Sequence, residues 1–206
     1  MNAAAVLAQR LRAAVDDERV LAAIAQTPRE RFVPPRQRER AYENVALPIA
    51  CGQTISQPLV VARMLESLAL RATDRVLDVG TGSGYHAALL ARLADHVWTI
   101  ERHRELSELA TSTIRSLGIE NVTFVVGDGW EGLPEEAPFD GINVAAAVGG
   151  RVPAALEDQL ALGGRLVAPV GDTNQHLTLT RRTPAGLERR QLEAVRFVPL
   201  VRGKLS

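Results

Sequence analysis

The sequence predicts an α/β fold built on a mostly parallel, doubly wound sheet, with a helical extension at the N-terminus. Three observations carry that expectation. Short apolar runs alternate with helical stretches over residues 58–170, a pattern that favours parallel strands joined by helical crossovers. The run Val76-Leu77-Asp78-Val79 ends in a turn with glycines at alternate positions, Gly80, Gly82 and Gly84, and helical periodicity then resumes. An acidic residue, Glu101, closes the next apolar run at about the twenty-residue spacing at which a carboxylate commonly takes ribose hydroxyls.

The elements follow in order. Over residues 3–25 the apolar positions Val6, Leu7, Leu11 and Val15, then Val20, Leu21 and Ile24, recur at helical spacing, and Asp16-Asp17-Glu18 opens a second helix. Thr27-Pro28 begins a short turn, which Pro34-Pro35 stops, and an irregular segment runs to about residue 57. Pro58 suits a helix start, with the helix continuing over 59–70. Strands are expected at 75–79, 97–100, 122–126, 141–146 and 165–170, and helices at 85–93, 104–117 and 152–162. Residues 176–183 and 192–199 read as paired strands joined by the turn Pro184-Ala185-Gly186. The division expected is a single domain over 1–206, in which 1–57 supplies helices and a substrate-side segment and 58–206 the core.

Ligands of such a sheet lie outside the carboxyl ends of its strands. Three polar features fall there: the Gly80 turn, Glu101 and Asp128. The glycines permit a tight turn and close backbone approach to a ligand, and the helix that follows presents free N–H groups. Their spacing, G-x-G-x-G and then Tyr85, departs from the dinucleotide pattern G-x-G-x-x-G. A P-loop needs a lysine after its glycines, and the single lysine is Lys204. The nucleophile elbow G-x-S-x-G fails because Ser83 has Thr81 and Tyr85 two residues to either side. An S-adenosylmethionine (SAM) pocket fits the turn best. Glu101 is then the candidate ribose acceptor. Asp128 is a candidate acceptor for the adenine amino group or a solvated loop residue.

Composition narrows the classes further. With 24 basic and 24 acidic residues the net charge is zero, so the basic footprint of nucleic-acid binding is missing. Arg10 and Arg12 break the N-terminal apolar run, which reads neither as a secretory segment nor as a membrane span. Cys51 is the sole cysteine, so an internal disulfide is excluded and a reducing, cytoplasmic setting is expected. Without a histidine nearby in sequence, Cys51 reads as a small packing residue and not a nucleophile. The four histidines, His86, His96, His103 and His176, show no metal-ligand spacing, and no metal is expected.

Beyond VLDVGTGSGY, the chain carries Arg31-Phe32-Val33-Pro34, Ala41-Tyr42, Leu47-Pro48-Ile49 and Gly52-Gln53-Thr54-Ile55-Ser56-Gln57-Pro58. Later come Gly127-Asp128-Gly129-Trp130, Ala145-Ala146-Ala147 and GGRLVAPVG from Gly163 to Gly171. In this order the blocks resemble the protein-L-isoaspartate (D-aspartate) O-methyltransferase family over most of the chain, and GQTIS is the most specific of them. The resemblance implies a Rossmann-like SAM-dependent methyltransferase. Such an enzyme moves a methyl group from SAM to the α-carboxylate of an isoaspartyl residue in a damaged protein, leaving S-adenosylhomocysteine. The ester then loses methanol to form a succinimide, which opens partly to normal aspartate. Isoaspartyl proteins or peptides are the implied partners, and a monomer without membrane or nucleic-acid partners is expected.

By the same likeness, Thr54, Ile55 and Ser56 line the cavity between cofactor and substrate, with Ser56 the active-site residue. Gly80, Gly82, Gly84, Glu101, Asp128 and Gly129 match cofactor-binding positions, and Asp78, Thr81 and Ser83 complete the candidate set around the turn. Gln175 matches a C-terminal polar contact. A serine just before Pro58 also suits a helix N-cap, and both roles stay open. The chain departs from the family pattern at Cys51, where an aromatic is expected, at Leu59, where histidine is frequent, and at Val148-Gly149-Gly150, where a proline-led turn is usual. These departures bear on peptide preference. A carboxylate methyltransferase acting on another peptide, a SAM-binding module without turnover and a nicotinamide dehydrogenase are the competing readings. Tyr85 and the lack of a proton-relay set disfavour the dehydrogenase, and the intact GQTIS segment disfavours the module.

Overall fold

The computed structural model describes residues 2–203; Lys204 lies outside the described residues. Two helices open the chain, α1 (Ala3–Leu11) and α2 (Glu18–Gln26). The Asn2 side chain caps the first by accepting from the Ala5 N–H, and the Asp17 side chain caps the second by accepting from the Arg19 and Val20 N–H groups. The acidic cluster therefore opens α2 as its composition indicates. Two 3-10 turns follow, Arg29–Phe32 and Pro35–Arg40. Pro35 begins the second turn, so the proline pair does not end ordered structure there: its fixed φ suits a first helical position.

Within the segment expected to be irregular, β1 (Leu47–Pro48) pairs antiparallel with β2 (Thr54–Ile55). Strands of two residues carry no alternation to read. Between them Cys51 and Gly52 turn the chain with φ of 54° and 66°. Helix α3 (Pro58–Leu68) then leads into the main sheet.

The sheet strands are β3 (Arg75–Val79), β4 (His96–Glu101), β5 (Val122–Val126), β6 (Phe139–Val144), β7 (Leu160–Val170), β8 (Gln175–Thr183) and β9 (Gly186–Val195). Helices α4 (Tyr85–Leu90), α5 (Arg104–Ser116) and α6 (Ala154–Asp158) connect them. The spatial order is β5-β4-β3-β6-β7-β8-β9; the first five strands are parallel, and β8 and β9 add antiparallel. Connections run outward in opposite directions from β3 and β6, and that reversal opens a crevice at their carboxyl ends.

Both faces of the core strands are covered. Val76 belongs to a buried cluster with α1–α4, whereas Leu77 faces a second cluster with Trp98, Phe139, Ile142 and Leu156. Burial on two faces explains why these strands are continuous apolar runs.

Several boundaries differ from the sequence expectation. The helix expected over 152–162 stops at Asp158, because Leu160 pairs with Phe139 and starts β7. A register shift before the Gly141–Arg165 pair, beside Gly163 (φ 83°) and Gly164, lets that strand kink onward. Helix α4 ends at Leu90, three residues short of expectation. Strand β9 starts at Gly186 instead of 192, since the polar run 188–191 pairs with β8 along the sheet edge, where both faces need not be apolar. No helix among the described residues is long and apolar enough to cross a membrane.

Candidate functional site

The glycine turn sits at the carboxyl end of β3 with Gly80, Gly82 and Gly84 at φ of 94°, 52° and 87°, a region that side chains rarely adopt. The Gly80 and Thr81 N–H groups both donate to the Ile100 carbonyl at 2.9 and 3.3 Å, and the Gly84 N–H donates to the Thr81 carbonyl at 2.7 Å. From the end of β4, the Glu101 carboxylate accepts from the Gly82 N–H at 2.9 Å and from the His103 N–H at 3.0 Å. Two accepted bonds leave a carboxylate with further lone pairs for hydroxyl donors.

A cleft is lined in part by this turn. Gly80, Thr81, Gly82 and Ser83 of the turn, Glu101, Arg102 and His103, and Val79, Ile100, Ala145 and Ala146 line it. Thr54, Ile55 and Ser56 from the N-terminal segment, Gly129 and Val198–Val201 line the same cleft. Apolar walls with a few directed polar groups are what a nucleoside-sized ligand requires. These residues fit SAM: a carboxylate for hydroxyls, apolar walls for a base, and a close-approach turn.

The structure brings together most of the candidate residues, but three stand outside the cleft lining. Asp78 is fully buried behind it, accepting from Asn143 Nδ2 and from Thr99 Oγ1, each at 2.8 Å. Thr99 Oγ1 lies 2.6 Å from Thr81 Oγ1, so Asp78 reaches the cleft only through the Thr99–Thr81 chain. Burial pushes its carboxyl up to about 7, against the opposing hydrogen bonds. Gly84 is a packing glycine: a Cβ there would sit 3.0 Å from Ala110 Cβ and 3.1 Å from Ile114 Cδ1 on α5. Asp128 accepts from the Trp130 and Gly203 N–H groups, holding its own turn against the C-terminal segment.

Ser56 does not cap α3. Gln57 occupies the cap position without a side-chain bond, and the Leu59 N–H donates to Asn44 Oδ1 at 3.0 Å. Gln175 is placed behind the site. Its side chain accepts from the Phe197 N–H at 2.7 Å and donates to the Phe197 carbonyl at 3.3 Å, latching the segment that supplies Val198–Val201. Ala147 continues that latch, donating to the Val198 carbonyl and accepting from the Leu200 N–H. Cys51 is exposed at positive φ and does not pack; burial, then Glu105, raises its thiol, which argues against a thiolate. Leu59 packs on the core cluster and Val148 is fully buried, so neither departure from the family pattern lines the cleft.

Sequence reasoning missed Tyr85 and His86, Arg102 and His103, and Val198–Val201, all of which line the cleft. The last group sits far away in sequence, and nothing local marks it. Tyr85 and His86 begin α4 and look like core positions. Burial, then Arg29, pushes His86 down to about 4, so its imidazole is neutral at pH 7. Burial pushes the Tyr85 phenol up to about 12. Among the described residues no group of three or more His, Cys, Asp or Glu side chains could hold a metal ion.

A parallel sheet with its crevice at the strand-order reversal, an alternate-glycine turn and a strand-end carboxylate define a Rossmann-like SAM-dependent methyltransferase. The protein-L-isoaspartate(D-aspartate) O-methyltransferase family model matches residues 2–205. The chain is 51% identical over 192 residues to a protein-L-isoaspartate O-methyltransferase of Aeromonas hydrophila subsp. hydrophila, covering 93% of each chain. It is 53% identical over 194 residues to one of Roseiflexus castenholzii, covering 94% of this chain and 88% of that one. A Plasmodium falciparum protein-L-isoaspartate O-methyltransferase, solved with S-adenosyl-L-homocysteine, superposes with a TM-score of 0.85 at 28% identity, covering 98% of this chain and 99% of that one. The chain belongs to the protein-L-isoaspartate(D-aspartate) O-methyltransferase family.

Proposed function

We propose that this protein methylates the α-carboxylate of isoaspartyl residues in damaged proteins, with Ser56 orienting that carboxylate across the cleft from the glycine turn. The observation that supports the reading is that Ser56, the Gly80–Ser83 turn and Glu101 line one cleft. SAM, when bound, supplies a methyl group on a positively charged sulfur. Glu101 would accept from its ribose hydroxyls, the glycine turn would face its amino-acid end, and Ile100 and Leu200 would flank its base.

The nucleophile needs no activation. An α-type carboxyl group has a pKa of about 3.5 and is ionised at pH 7, so the chain has no proton to remove. What the protein contributes is alignment, which is worth on the order of 7–11 kcal/mol in a near-attack pose. One donor from Ser56 Oγ sets the direction of the carboxylate while leaving the attacking oxygen its nucleophilicity. His86, which also lines the cleft, stays neutral. The groove formed by Ala46, Gln57, Val60, Val195 and Phe197 shares Thr54, Ser56 and Val198 with the cleft and offers the peptide an approach to Ser56.

The test uses methyl-labelled SAM with a matched pair of peptides, one isoaspartyl and one aspartyl. Label on the isoaspartyl peptide alone is the expected result. Label on both, or on neither, overturns the reading.

A further inference from the structure

Arg29 opens the 3-10 turn after α2 and is completely buried. Arginine almost never sits so deep without a carboxylate partner, yet the hydrogen bonds it donates go to backbone carbonyls. Its Nε donates to the Ala41 carbonyl and its Nη2 to the Ser56 carbonyl, each at 2.8 Å. The guanidinium carbon lies 4.9 Å from the centroid of the Tyr85 ring, and Nη1 has no partner. Tyr85 begins the helix that leaves the glycine turn, and its ring meets Phe32 edge-on at 5.4 Å.

A buried cation with one orphaned nitrogen is costly, and an apolar side chain would fill the space more cheaply. A structural filler therefore explains little. A planar fork, by contrast, can hold two carbonyls at a fixed separation while stacking on a ring, which a lysine cannot do. The three groups held here come from three separate stretches: residue 41, the Ser56 segment, and the first residue of α4. Their common point is the distance between Ser56 and the glycine turn, which is the quantity that in-line transfer depends on.

We propose that Arg29 is a positioning residue for methyl transfer, fixing the Ser56 main chain relative to the cofactor turn through the Ser56 carbonyl and the Tyr85 ring. The proposal rests on Ser56 as the carboxylate-orienting group. Arg29 touches neither substrate nor cofactor; it acts through the peptide unit that aims the Ser56 hydroxyl.

The test compares Arg29→Gln, Arg29→Lys and Arg29→Ala, each alone and in a Ser56→Ala background. Circular dichroism reports folding, calorimetry the affinity for S-adenosylhomocysteine, and labelled isoaspartyl peptide the turnover. Arg29→Gln is expected to lower kcat by about ten- to a hundredfold, the scale of an ångström-sized misplacement, with affinity for the product nucleoside within about twofold of wild type. Arg29→Lys, which keeps the charge but reaches one carbonyl, loses turnover too, and guanidinium chloride at millimolar concentration restores part of it in Arg29→Ala. In the Ser56→Ala background, Arg29→Gln costs little more. Parallel loss of nucleoside affinity and turnover, full turnover in Arg29→Lys, or equal losses in both backgrounds would each overturn the proposal. If Arg29→Gln does not fold, Arg29→Lys and its coupling to Ser56→Ala decide the matter. A fully active Ser56→Ala sinks the Ser56 reading itself, whereas an impaired Ser56→Ala with additive Arg29 losses sinks the clamp alone.

Discussion

Glu101 Oε2 accepts a hydrogen bond from the Gly82 N–H at 2.9 Å, tying the end of β4 to the middle of the glycine turn. The same carboxylate lines the cleft, so it braces the turn and offers lone pairs to a ligand at once. Glu101→Ala is expected to weaken S-adenosylhomocysteine binding by about 1.5–3 kcal/mol, the scale of hydrogen bonds to a charged group. Titration calorimetry reads this directly, and an unchanged affinity would remove Glu101 from the nucleoside site.

Ser56→Ala separates orientation from cofactor binding. Ser56 is not used for capping α3 and lines the cleft. Turnover should fall on the order of tenfold or more, as for loss of a hydrogen bond to a charged group, while nucleoside affinity changes little. Equal losses in kcat and in affinity would contradict the orienting role.

Two buried groups oppose each other in the pH dependence of stability. Asp78 is raised to about 7 by burial, so it binds its proton more tightly folded than unfolded; its contribution is present at low pH and is lost as pH rises toward 7. His86 is lowered to about 4 by burial and then by Arg29, so its contribution is present above the unfolded value near 6.5 and is lost as pH falls toward 4. Asp78→Asn should remove the first slope and leave stability rising between pH 4 and 6.5. Urea unfolding across that range checks it; a variant whose profile parallels wild type refutes the assignment.

Gly84→Ala tests why the turn needs its third glycine. The position combines φ of 87° with a Cβ 3.0 Å from Ala110 Cβ. Left-handed strain of about 1–2 kcal/mol and overpacking of about 1–3 kcal/mol add to an expected loss of roughly 2–5 kcal/mol in unfolding free energy. Gly80→Ala carries similar backbone strain but would meet Ala145 only at 3.7 Å, so it should lose less stability. Chemical denaturation of both variants orders them, and the reverse order would refute the packing role.

The core was legible in the sequence because its signals are local. The run 75–79 coincides with β3, which is buried on both faces, and the run 122–126 with β5, a half-buried edge strand of β-branched and aromatic residues. The glycine turn, Glu101 and the GQTIS segment were legible too, because a positive φ, a strand-end charge and an ordered motif are each written in adjacent residues. Other features depend on partners far along the chain. Leu160 looks helical until Phe139 pairs with it. Asp78 looks like a cofactor contact until Asn143 and Thr99 enclose it.

Sequence alone determined the class of fold, and it singled out the glycine turn and the GQTIS segment that line one cleft, because each follows from short-range periodicity or motif chemistry. Only the tertiary structure decided that the 198–201 segment lines the cleft, latched through Gln175, and that one arginine among 23 is buried with its fork on the Ser56 carbonyl. An arginine's burial is set by which carbonyls and rings the folded chain gathers around it, and no neighbouring residue records that.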